Sequence, residues 1–463
     1  MAQTKERLKP SLIPEYCKGC GRCIIVCSKG CIAFSEEINH LTGITPVVLD
    51  MKECNGCGLC IDACPEPYAL IATEQGGNFE LGDAAKLFGE ERGNPPKPAA
   101  VPSEKIPMPK TEPMVIKGNY AAALGAMIAG CRQMYGYPIT PSSEGAELMA
   151  KFLPKLNGWY LQAVSEVATI NHMYGTAGAG LPTTTFTSGP GFSLMVEGIS
   201  YMICAELPAV IVNVMRGGPG LGNIAPEQSD IKLACRGLGH GNSHAICLAP
   251  STPQEVLDLS MEAFELAFKY RTPVIILVDG YLGQMTGKVN LPSHLVKPGI
   301  PEWAVYGDKA HRGNLISSID LAEADLENRN LKLCAKYDDM KAIARADCFM
   351  ADDAEILLVA CNTPARTSKG AVQDLRDMGI KAGLFRPVTL WPFPVEQLKA
   401  ILPNVKQMVV VEASAGQLED ELRLGLNKAG VEKFPNMSHV RRMGGMLPQQ
   451  AEVVAHVVSI ARQ

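Results

Sequence analysis

Two cysteine-rich segments near the start of the sequence carry the strongest chemical signal. Each has the spacing C-x2-C-x2-C-x3-C, in CKGCGRCIIVC at 17–27 and CNGCGLCIDAC at 54–64. In this spacing, the first three thiolates of a segment bind one [4Fe–4S] cluster and the fourth reaches the other cluster. The spacing therefore predicts two clusters, one held by Cys17, Cys20, Cys23 and Cys64 and the other by Cys54, Cys57, Cys60 and Cys27.

A zinc site is the alternative interpretation of these cysteines. Zinc ribbons usually pair two C-x2-C units rather than two complete tetrads, so the spacing favours clusters. Over about residues 10–75 the segment resembles bacterial two-cluster ferredoxins, from which it departs at Ser28, where proline is usual. Cys31 is a ninth cysteine, whereas two clusters need only eight ligands. We therefore interpret Cys31 as a small buried residue rather than a ligand.

A glutamate at the start of a helical pattern is the second candidate for chemistry. Ser165 can cap the helix that Glu166 opens, and the helix dipole favours a carboxylate there, so a capping charge is the simpler interpretation. The small residues of GTAGAG at 175–180 and the SGPG turn at 188–191 would let a planar ligand approach closely. We therefore predict a buried glutamate beside a flat ligand.

Composition narrows the class of protein. The chain has 463 residues, 47% of them apolar, and can bury large cores. Its 43 basic and 48 acidic residues give a formal charge of −5, and the absence of a long basic run argues against nucleic acid as a partner. No apolar run reaches the length of a membrane span or fits a signal peptide, so we expect no membrane partner and a cytoplasmic protein.

The apolar runs predict an α/β fold. PAVIVNVM at 208–215 and TPVIILVD at 272–279 are typical of strands buried on both faces of a parallel sheet flanked by helices. Strand candidates at 354–361, 379–387 and 406–414, separated by helical patterns, predict a second open α/β layer. Residues 76–113 contain seven prolines and predict a linker, whereas 291–353 predict only a helix within 331–350.

Two further groups of residues are weaker candidates. GGPGLG at 217–222 follows a strand but lacks the order G-x-G-x-x-G, so we predict no nicotinamide site there. Four side chains in and around a glycine-rich loop have the right chemistry to hold zinc, but nothing in the sequence fixes the conformation of that loop. We therefore assign no metal to Cys235, His240, His244 and Cys247.

Motifs in the rest of the chain resemble a known family. YPITPSSE, SEVATINHMYGTAGAG, TSGPGFSLM, GGPGLGN, VDGYLGQM, RPVTLWPFP and RRMGGMLP occur in order and are similar to the alpha subunit of 2-oxoacid:ferredoxin oxidoreductases of the 2-oxoisovalerate and 2-oxoglutarate type. The ferredoxin-like delta subunit, often a separate chain, is fused in front. The resemblance implies a two-cluster ferredoxin-like α+β domain, a linker, a thiamine diphosphate pyrimidine-binding domain, a connecting segment and a transketolase C-terminal-like domain, at 1–75, 76–113, 114–290, 291–353 and 354–463.

The resemblance also implies roles for three residues. Glu166 matches the glutamate that hydrogen-bonds N1′ of the aminopyrimidine, Thr140 the threonine that contacts the substrate carboxylate, and Arg216 its arginine partner. A carboxyl at N1′ favours the imino tautomer that removes the thiazolium C2 proton, and a guanidinium grips a carboxylate in a planar fork. Val164 stands where related chains often carry an acidic residue, which leaves Glu166 as the carboxylate of that helix start.

The site implied by this resemblance is incomplete in this sequence. It has no GDG motif with a later pair of asparagines, the element that holds Mg2+ and diphosphate in thiamine enzymes. We therefore expect a beta subunit to supply that half, together with a gamma subunit. The implied reaction converts a 2-oxoacid, CoA and an oxidised acceptor such as ferredoxin into acyl-CoA, CO2 and the reduced acceptor.

Two other functions agree less well with these residues. An electron-transfer and docking subunit would need none of Glu166, Thr140 and Arg216, and their joint presence argues against it. A non-oxidative thiamine decarboxylase would leave two low-potential clusters without a purpose.

Overall fold

The computed structural model describes residues 7–39, 42–79, 99–308, 310–311 and 313–462. The chain forms two compact units, Met1–Lys97 and Pro98–Gln463. None of the described helices is both long enough and apolar enough to cross a bilayer.

The smaller unit consists of short elements connected by cysteine-bearing loops. Its elements are β1 (Lys9–Leu12), α1 (Arg22–Val26), β2 (Ile32–Phe34), β3 (Val47–Leu49), α2 (Leu59–Asp62), β4 (Leu70–Thr73) and β5 (Gly77–Asn78). The sheet order is β4-β1-β5, and β2 pairs with β3 in an antiparallel hairpin. Gly21 and Gly58 precede α1 and α2 with φ of 70° and 81°, a left-handed conformation that strains other residues. The cysteine loops therefore depend on these two glycines.

Strands and helices alternate through most of the larger unit. Its strands are β6 (Glu104–Pro107), β7 (Met114–Lys117), β8 (Gln133–Gly136), β9 (Trp159–Gln162), β10 (Thr183–Thr187), β11 (Ala209–Met215), β12 (Ile246–Leu248), β13 (Pro273–Asp279), β14 (Thr286–Val289), β15 (His294–Lys297), β16 (Ala346–Phe349), β17 (Ile356–Val359), β18 (Ala382–Pro387), β19 (Thr389–Trp391), β20 (Gln407–Glu412) and β21 (Asn436–Arg441). Its α-helices are α3 (Gly118–Ile128), α4 (Ser143–Phe152), α5 (Glu166–Gly178), α6 (Gly189–Cys204), α7 (Asp230–Arg236), α8 (Pro253–Tyr270), α9 (Gly280–Gln284), α10 (Glu323–Met340), α11 (Asn362–Asp377), α12 (Val395–Ile401), α13 (Gln417–Lys428) and α14 (Gln450–Ala461).

The first large sheet has the strand order β19-β12-β13-β11-β10-β8-β9. All neighbours are parallel except the edge pair β12 and β19. Every residue of β11 and β13 is buried, which confirms the prediction of parallel strands covered on both faces. Because parallel strands end at the same edge, the loops after β8, β10 and β11 lie side by side there, where α/β folds bind ligands.

The second sheet has the order β16-β18-β17-β20-β21, with only β16 antiparallel. The strands predicted at 354–361, 379–387 and 406–414 are confirmed as β17, β18 and β20. Alternate residues of β17 serve two cores. Leu357 and Val359 join the large core around the first sheet, whereas Ile356 and Leu358 pack with α11 and α14. The second layer is thus buried on both faces, with period-two alternation between its cores.

The segments predicted to be irregular contribute strands. In the part of 76–113 that the structure describes, β5 joins the sheet of the smaller unit and β6 pairs with β15. The helix predicted within 331–350 is wrong at its end, because α10 stops at Met340 and Ala346–Phe349 form β16. Pairing with β18 gives this stretch a ladder of main-chain hydrogen bonds, and that tertiary gain outweighs its local helical preference.

Candidate active site

Glu166 is the first residue of α5, at the edge where the parallel strands end. Ser165 caps the helix as predicted, since its Oγ accepts a 3.2 Å hydrogen bond from the N–H of Ala168. Capping is therefore done by the serine, and Glu166 is left with only 5% of its surface exposed. Its carboxylate accepts no hydrogen bond from any residue that the structure describes. The carboxylate is therefore available to a ligand that is able to pair with it.

The main chain of Gly191 packs directly against this carboxylate. A Cβ at this position would lie 2.5 Å from Glu166 Oε1 and 2.5 Å from Thr187 Oγ1, so only glycine fits. The hydroxyls of Thr187 and Ser188 are buried and have no hydrogen-bond partner among the described residues. The Glu166 carboxylate and the free Thr187 hydroxyl therefore both lie against the main chain of Gly191. That a planar ring binds beside Glu166 stays a prediction.

Arg216 follows directly on β11 and is 8% exposed. Its Nη1 donates a 2.7 Å hydrogen bond to the carbonyl of Thr140, and its Nη2 donates a 3.0 Å bond to the carbonyl of Leu221. Its Nε is buried and has no partner in the described part of the chain. No carboxylate of a described residue forms a salt bridge with this guanidinium. The arginine thus has one donor, Nε, that is free to bind an anion.

The start of α6 brings the three predicted site residues together. Gly189 is close enough to Arg216 that a Cβ on the glycine would lie 3.8 Å from the arginine Cγ, and Gly191 touches Glu166. The carbonyl of Thr140 accepts a hydrogen bond from Arg216. Thr140 itself is exposed, and the peptide bond that joins it to Pro141 is cis. The contact of its hydroxyl with substrate stays a prediction, since the observed bond uses the main chain.

Sequence reasoning missed two acidic residues beside this group. Asp230 accepts a 2.9 Å hydrogen bond from Asn213 Nδ2, and burial raises the pKa of its carboxyl above the ordinary value. Glu227 is 4% exposed and accepts hydrogen bonds from the N–H of Gly218 and the hydroxyl of Ser229, at 2.8 and 2.7 Å. Glu227 thus braces the loop that follows Arg216, and Asp230 is bound to β11 through Asn213. Nothing in their sequence surroundings marked them, since their roles depend on neighbours that only the fold arranges.

In the smaller unit, the eight predicted cluster ligands line two separate cavities. One cavity is lined by Cys17, Cys20, Cys23 and Cys64, and the other by Cys27, Cys54, Cys57 and Cys60. The structure thus groups the cysteines as their spacing predicted, with each fourth cysteine crossing to the other set. Burial raises the pKa of the Cys60 thiol to about 11, so a thiolate there requires the positive charge of bound iron. The donor set and its geometry fit two iron–sulfur clusters.

Cys31 is buried, as expected, but it does not lie apart from the cluster ligands. It lines the cavity of Cys27, Cys54, Cys57 and Cys60, and its N–H donates a 3.3 Å hydrogen bond to Cys27 Sγ. Cys31 is thus a small buried residue, as predicted, but one that lies beside the predicted ligands of the second cluster.

The weaker zinc candidate is dispersed in the fold. Cys235 and Cys247 are buried next to each other, whereas His244 stacks on Trp391 with 4.8 Å between ring centroids. In the described ranges, no group of three or more histidine, cysteine or acidic side chains is arranged to hold a single metal ion.

Together, these features define a class of protein. A parallel α/β domain joined to paired cysteine cavities agrees with a thiamine-dependent enzyme that carries an electron-transfer module, the class that the resemblance implies. Models of three families match the chain: "Pyruvate flavodoxin/ferredoxin oxidoreductase, thiamine diP-bdg" over residues 124–324, "Pyruvate:ferredoxin oxidoreductase core domain II" over 354–453, and "4Fe-4S dicluster domain" over 16–67. The chain belongs to the family of 2-oxoacid:ferredoxin oxidoreductase subunits.

Similar proteins carry the same assignment. The ketoisovalerate oxidoreductase subunit VorB of Methanothermobacter marburgensis is 45% identical over 350 residues, covering 75% of this chain and 97% of the relative. The 2-oxoglutarate synthase subunit KorA of Methanocaldococcus jannaschii is 35% identical, covering 73% and 97%. A solved 2-oxoglutarate:ferredoxin oxidoreductase from Magnetococcus marinus superposes with a TM-score of 0.68 at 26% identity, covering 75% of this chain and 65% of that one. The predicted family, fold class and cofactor types are confirmed.

Proposed function

We propose that this chain supplies the aminopyrimidine side of a thiamine diphosphate site and two [4Fe–4S] clusters to an enzyme that oxidises a 2-oxoacid. The product is an acyl-CoA, CO2 is released, and ferredoxin accepts the electrons. The observation that carries the proposal is Glu166, a buried residue whose carboxylate has no hydrogen-bond partner among the described residues and packs against the main chain of Gly191.

Each site residue has a role that its surroundings support. When bound, thiamine diphosphate supplies a carbon nucleophile that attacks the 2-oxo group. Glu166 holds a proton between its carboxylate and N1′ of the ring, and burial strengthens that hydrogen bond. Arg216 uses its unpaired Nε and its charge to orient the substrate carboxylate, with Thr140 next to it. Arginine suits this task because its rigid fork fixes direction as well as charge.

The clusters are proposed to carry electrons from the oxidised substrate to ferredoxin. Cys17, Cys20, Cys23 and Cys64 bind one cluster, and Cys54, Cys57, Cys60 and Cys27 bind the other. Each set surrounds its own cavity, which suits a group larger than one ion.

The partners follow from what the sequence lacks. A beta subunit carries the Mg2+ and diphosphate half of the site, and a gamma subunit completes a cytoplasmic hetero-oligomer that binds CoA. Exposed apolar residues beside the site support a protein partner there: Val164 just before Glu166 is 88% exposed, and Leu221 beside Arg216 is 81% exposed. Burying such side chains is favourable only against another surface.

The substrate class is proposed from the relatives. The VorB relatives, named for ketoisovalerate, are 43–45% identical to this chain, whereas the KorA relatives, named for 2-oxoglutarate, are 34–38% identical. We therefore infer a branched-chain aliphatic 2-oxoacid. A screen of branched-chain, dicarboxylic and aryl 2-oxoacids with a viologen dye tests this inference, and a preference for 2-oxoglutarate would overturn it.

The test of the whole proposal is Glu166→Gln in the assembled enzyme. The amide keeps the volume but is not able to support the imino tautomer, so we expect C2–H exchange of the bound cofactor into deuterated solvent to slow by about 10²- to 10⁴-fold. The control is Glu197→Gln, since Glu197 belongs to α6 and accepts a 2.8 Å hydrogen bond from Tyr201 at the surface. If the cofactor in Glu166→Gln exchanged its C2–H at the wild-type rate, Glu166 would have only a structural role. That result would favour an electron-transfer and docking subunit.

A further inference from the structure

The two cluster cavities of the smaller unit differ in the number of cysteines around them. Four cysteines line the cavity of Cys64, but five line the cavity of Cys27, because Cys31 also contributes. The excess cysteine is 6% exposed, so it is sealed in against the cavity rather than presented to solvent. A buried thiol among four cluster-binding cysteines is chemically able to bind the same iron.

The main chain holds Cys31 next to the Cys27 sulfur. Cys27 ends α1, and the N–H of Cys31 donates a 3.3 Å hydrogen bond back to Cys27 Sγ. On its other side, Cys31 is fixed by β2, which starts at the next residue, and by its carbonyl, which accepts a 2.8 Å hydrogen bond from the N–H of Asp50. Its thiol makes a long contact, 3.8 Å, to the carbonyl of Lys29. Cys31 is therefore held in place mainly by its backbone, and its sulfur is only weakly restrained.

Exposure also distinguishes the two cysteines. Cys27 is half-buried, whereas Cys31 is buried. Of these two cysteines, Cys27 is therefore the more accessible to an oxidant, although Cys57 of the same cavity is more exposed than either. The loop between them, residues 28–30, includes Gly30 at φ 62°, where a Cβ would meet no atom of the described residues within 4 Å. The loop therefore has space to adjust.

We propose that Cys31 is a reserve ligand for the second cluster and binds its iron when the bond to the Cys27 sulfur is lost. In the simplest exchange the Fe–S bond to Cys27 breaks and the Fe–S bond to Cys31 forms, while the proton of the Cys31 thiol passes to the departing Cys27 sulfur. No electron is transferred, and the cluster keeps four thiolates. The inference rests on the proposed cluster ligands alone, so it stands or falls independently of the thiamine chemistry.

The test compares iron and sulfide content in full-length variants purified without oxygen. We expect Cys27→Ala to keep about eight iron atoms per chain, because Cys31 replaces the missing ligand, and Cys27→Ala combined with Cys31→Ala to fall to about four. The matched control is Cys64→Ala, at the cavity where no fifth cysteine lies among the described lining residues, and it should fall to about four on its own. Cys31→Ala alone should keep both clusters.

A second measurement protects the result against an altered fold. The electron paramagnetic resonance spectrum of reduced Cys27→Ala should still contain the second cluster, with a shape changed by the new ligand direction, and this signal should vanish in the double variant. Equal iron loss in Cys27→Ala and Cys64→Ala would overturn the proposal. So would a Cys27→Ala cluster that survives the additional Cys31→Ala change, since some other group would then be the replacement ligand.

Discussion

Gly191 lies so close to Glu166 that a single methyl group on the glycine would overlap the carboxylate, at 2.5 Å from Oε1. The same methyl group would lie 2.5 Å from Thr187 Oγ1. The glutamate and the glycine come from the starts of α5 and α6, which precede and follow β10 in the chain. Their contact thus joins the two helices at the end of the strand between them and fixes the position of the carboxylate.

Gly191→Ala is therefore expected to damage the site without unfolding the domain. The new methyl group must displace the Glu166 carboxylate, and misplacing a catalytic group by about 1 Å costs on the order of 10²-fold in rate. Turnover with a 2-oxoacid and a viologen dye in the assembled enzyme measures this loss, together with cluster content as a check on the fold.

Gly175→Ala is the control for this experiment. Gly175 lies on the same helix as Glu166, and a Cβ there would meet no atom of the described residues within 4 Å. We expect wild-type turnover and a gain in stability of up to about 1 kcal/mol from the better helix former. Equal activity in Gly191→Ala and Gly175→Ala would show that turnover does not depend on the position of the Glu166 carboxylate.

Arg216→Lys should act on substrate capture. An ammonium group keeps the charge but cannot bind the carbonyls of Thr140 and Leu221 and an anion at once, as the guanidinium is placed to do. Loss of one charged hydrogen bond, about 1.5–3 kcal/mol, corresponds to a rise in KM of about 10- to 100-fold. Steady-state kinetics separates this from a fall in kcat. Arg423→Lys, at a half-exposed ion pair with Glu419, should change neither parameter.

The sequence was sufficient to predict features set by local chemistry. The Ser165 cap, the buried runs of β11 and β13, and the crossed cysteine sets all depend on residue type and short spacing, and the structure has each of them. Ser165 and Glu166 are neighbours, and both residue types can cap a helix. The prediction that Glu166 is free for a ligand therefore depended on Ser165 being the cap.

Other features depended on contacts between distant segments and could not be predicted. The bond from Arg216 to Thr140 uses a carbonyl, which every residue possesses. β19 completes the edge of the first sheet although it lies among the strands of the second in the chain, because β12 offers it an unpaired edge. Similarly, only the folded loop shows that Cys31 lines the cavity of Cys27.

The smaller unit is expected to hold its clusters without the rest of the chain. All eight proposed ligands lie within Met1–Lys97, which is compact in itself. A fragment of residues 1–97, prepared without oxygen, should contain about eight iron and eight sulfide per chain. A content near one metal atom, or zinc in place of iron, would contradict the cluster assignment.

Glu421 gives the larger unit a predicted dependence of stability on pH. It is 4% exposed, and burial raises the pKa of its carboxyl from 4.5 to about 7, although Arg236 Nε lies 2.6 Å away and opposes this shift. Between about pH 4.5 and pH 7 the folded protein therefore keeps a proton here that the unfolded chain has released. Since the folded state binds more protons, the free energy of unfolding decreases as pH rises through this window.

Across this window the pKa shift of Glu421 lowers the free energy of unfolding by an amount on the order of 3 kcal/mol. Glu421→Gln should remove this dependence on pH, because an amide does not ionise. We expect the Tm of the wild type to fall more between about pH 5 and pH 7 than that of Glu421→Gln, measured by anaerobic thermal unfolding. The control is Glu396→Gln, because the Glu396 side chain is 77% exposed, pairs with Lys399 and is not among the groups that act on the Glu421 carboxyl. It should keep the wild-type slope. Identical slopes in the wild type and Glu421→Gln would show that Glu421 is ionised in the folded protein throughout this range, held by Arg236.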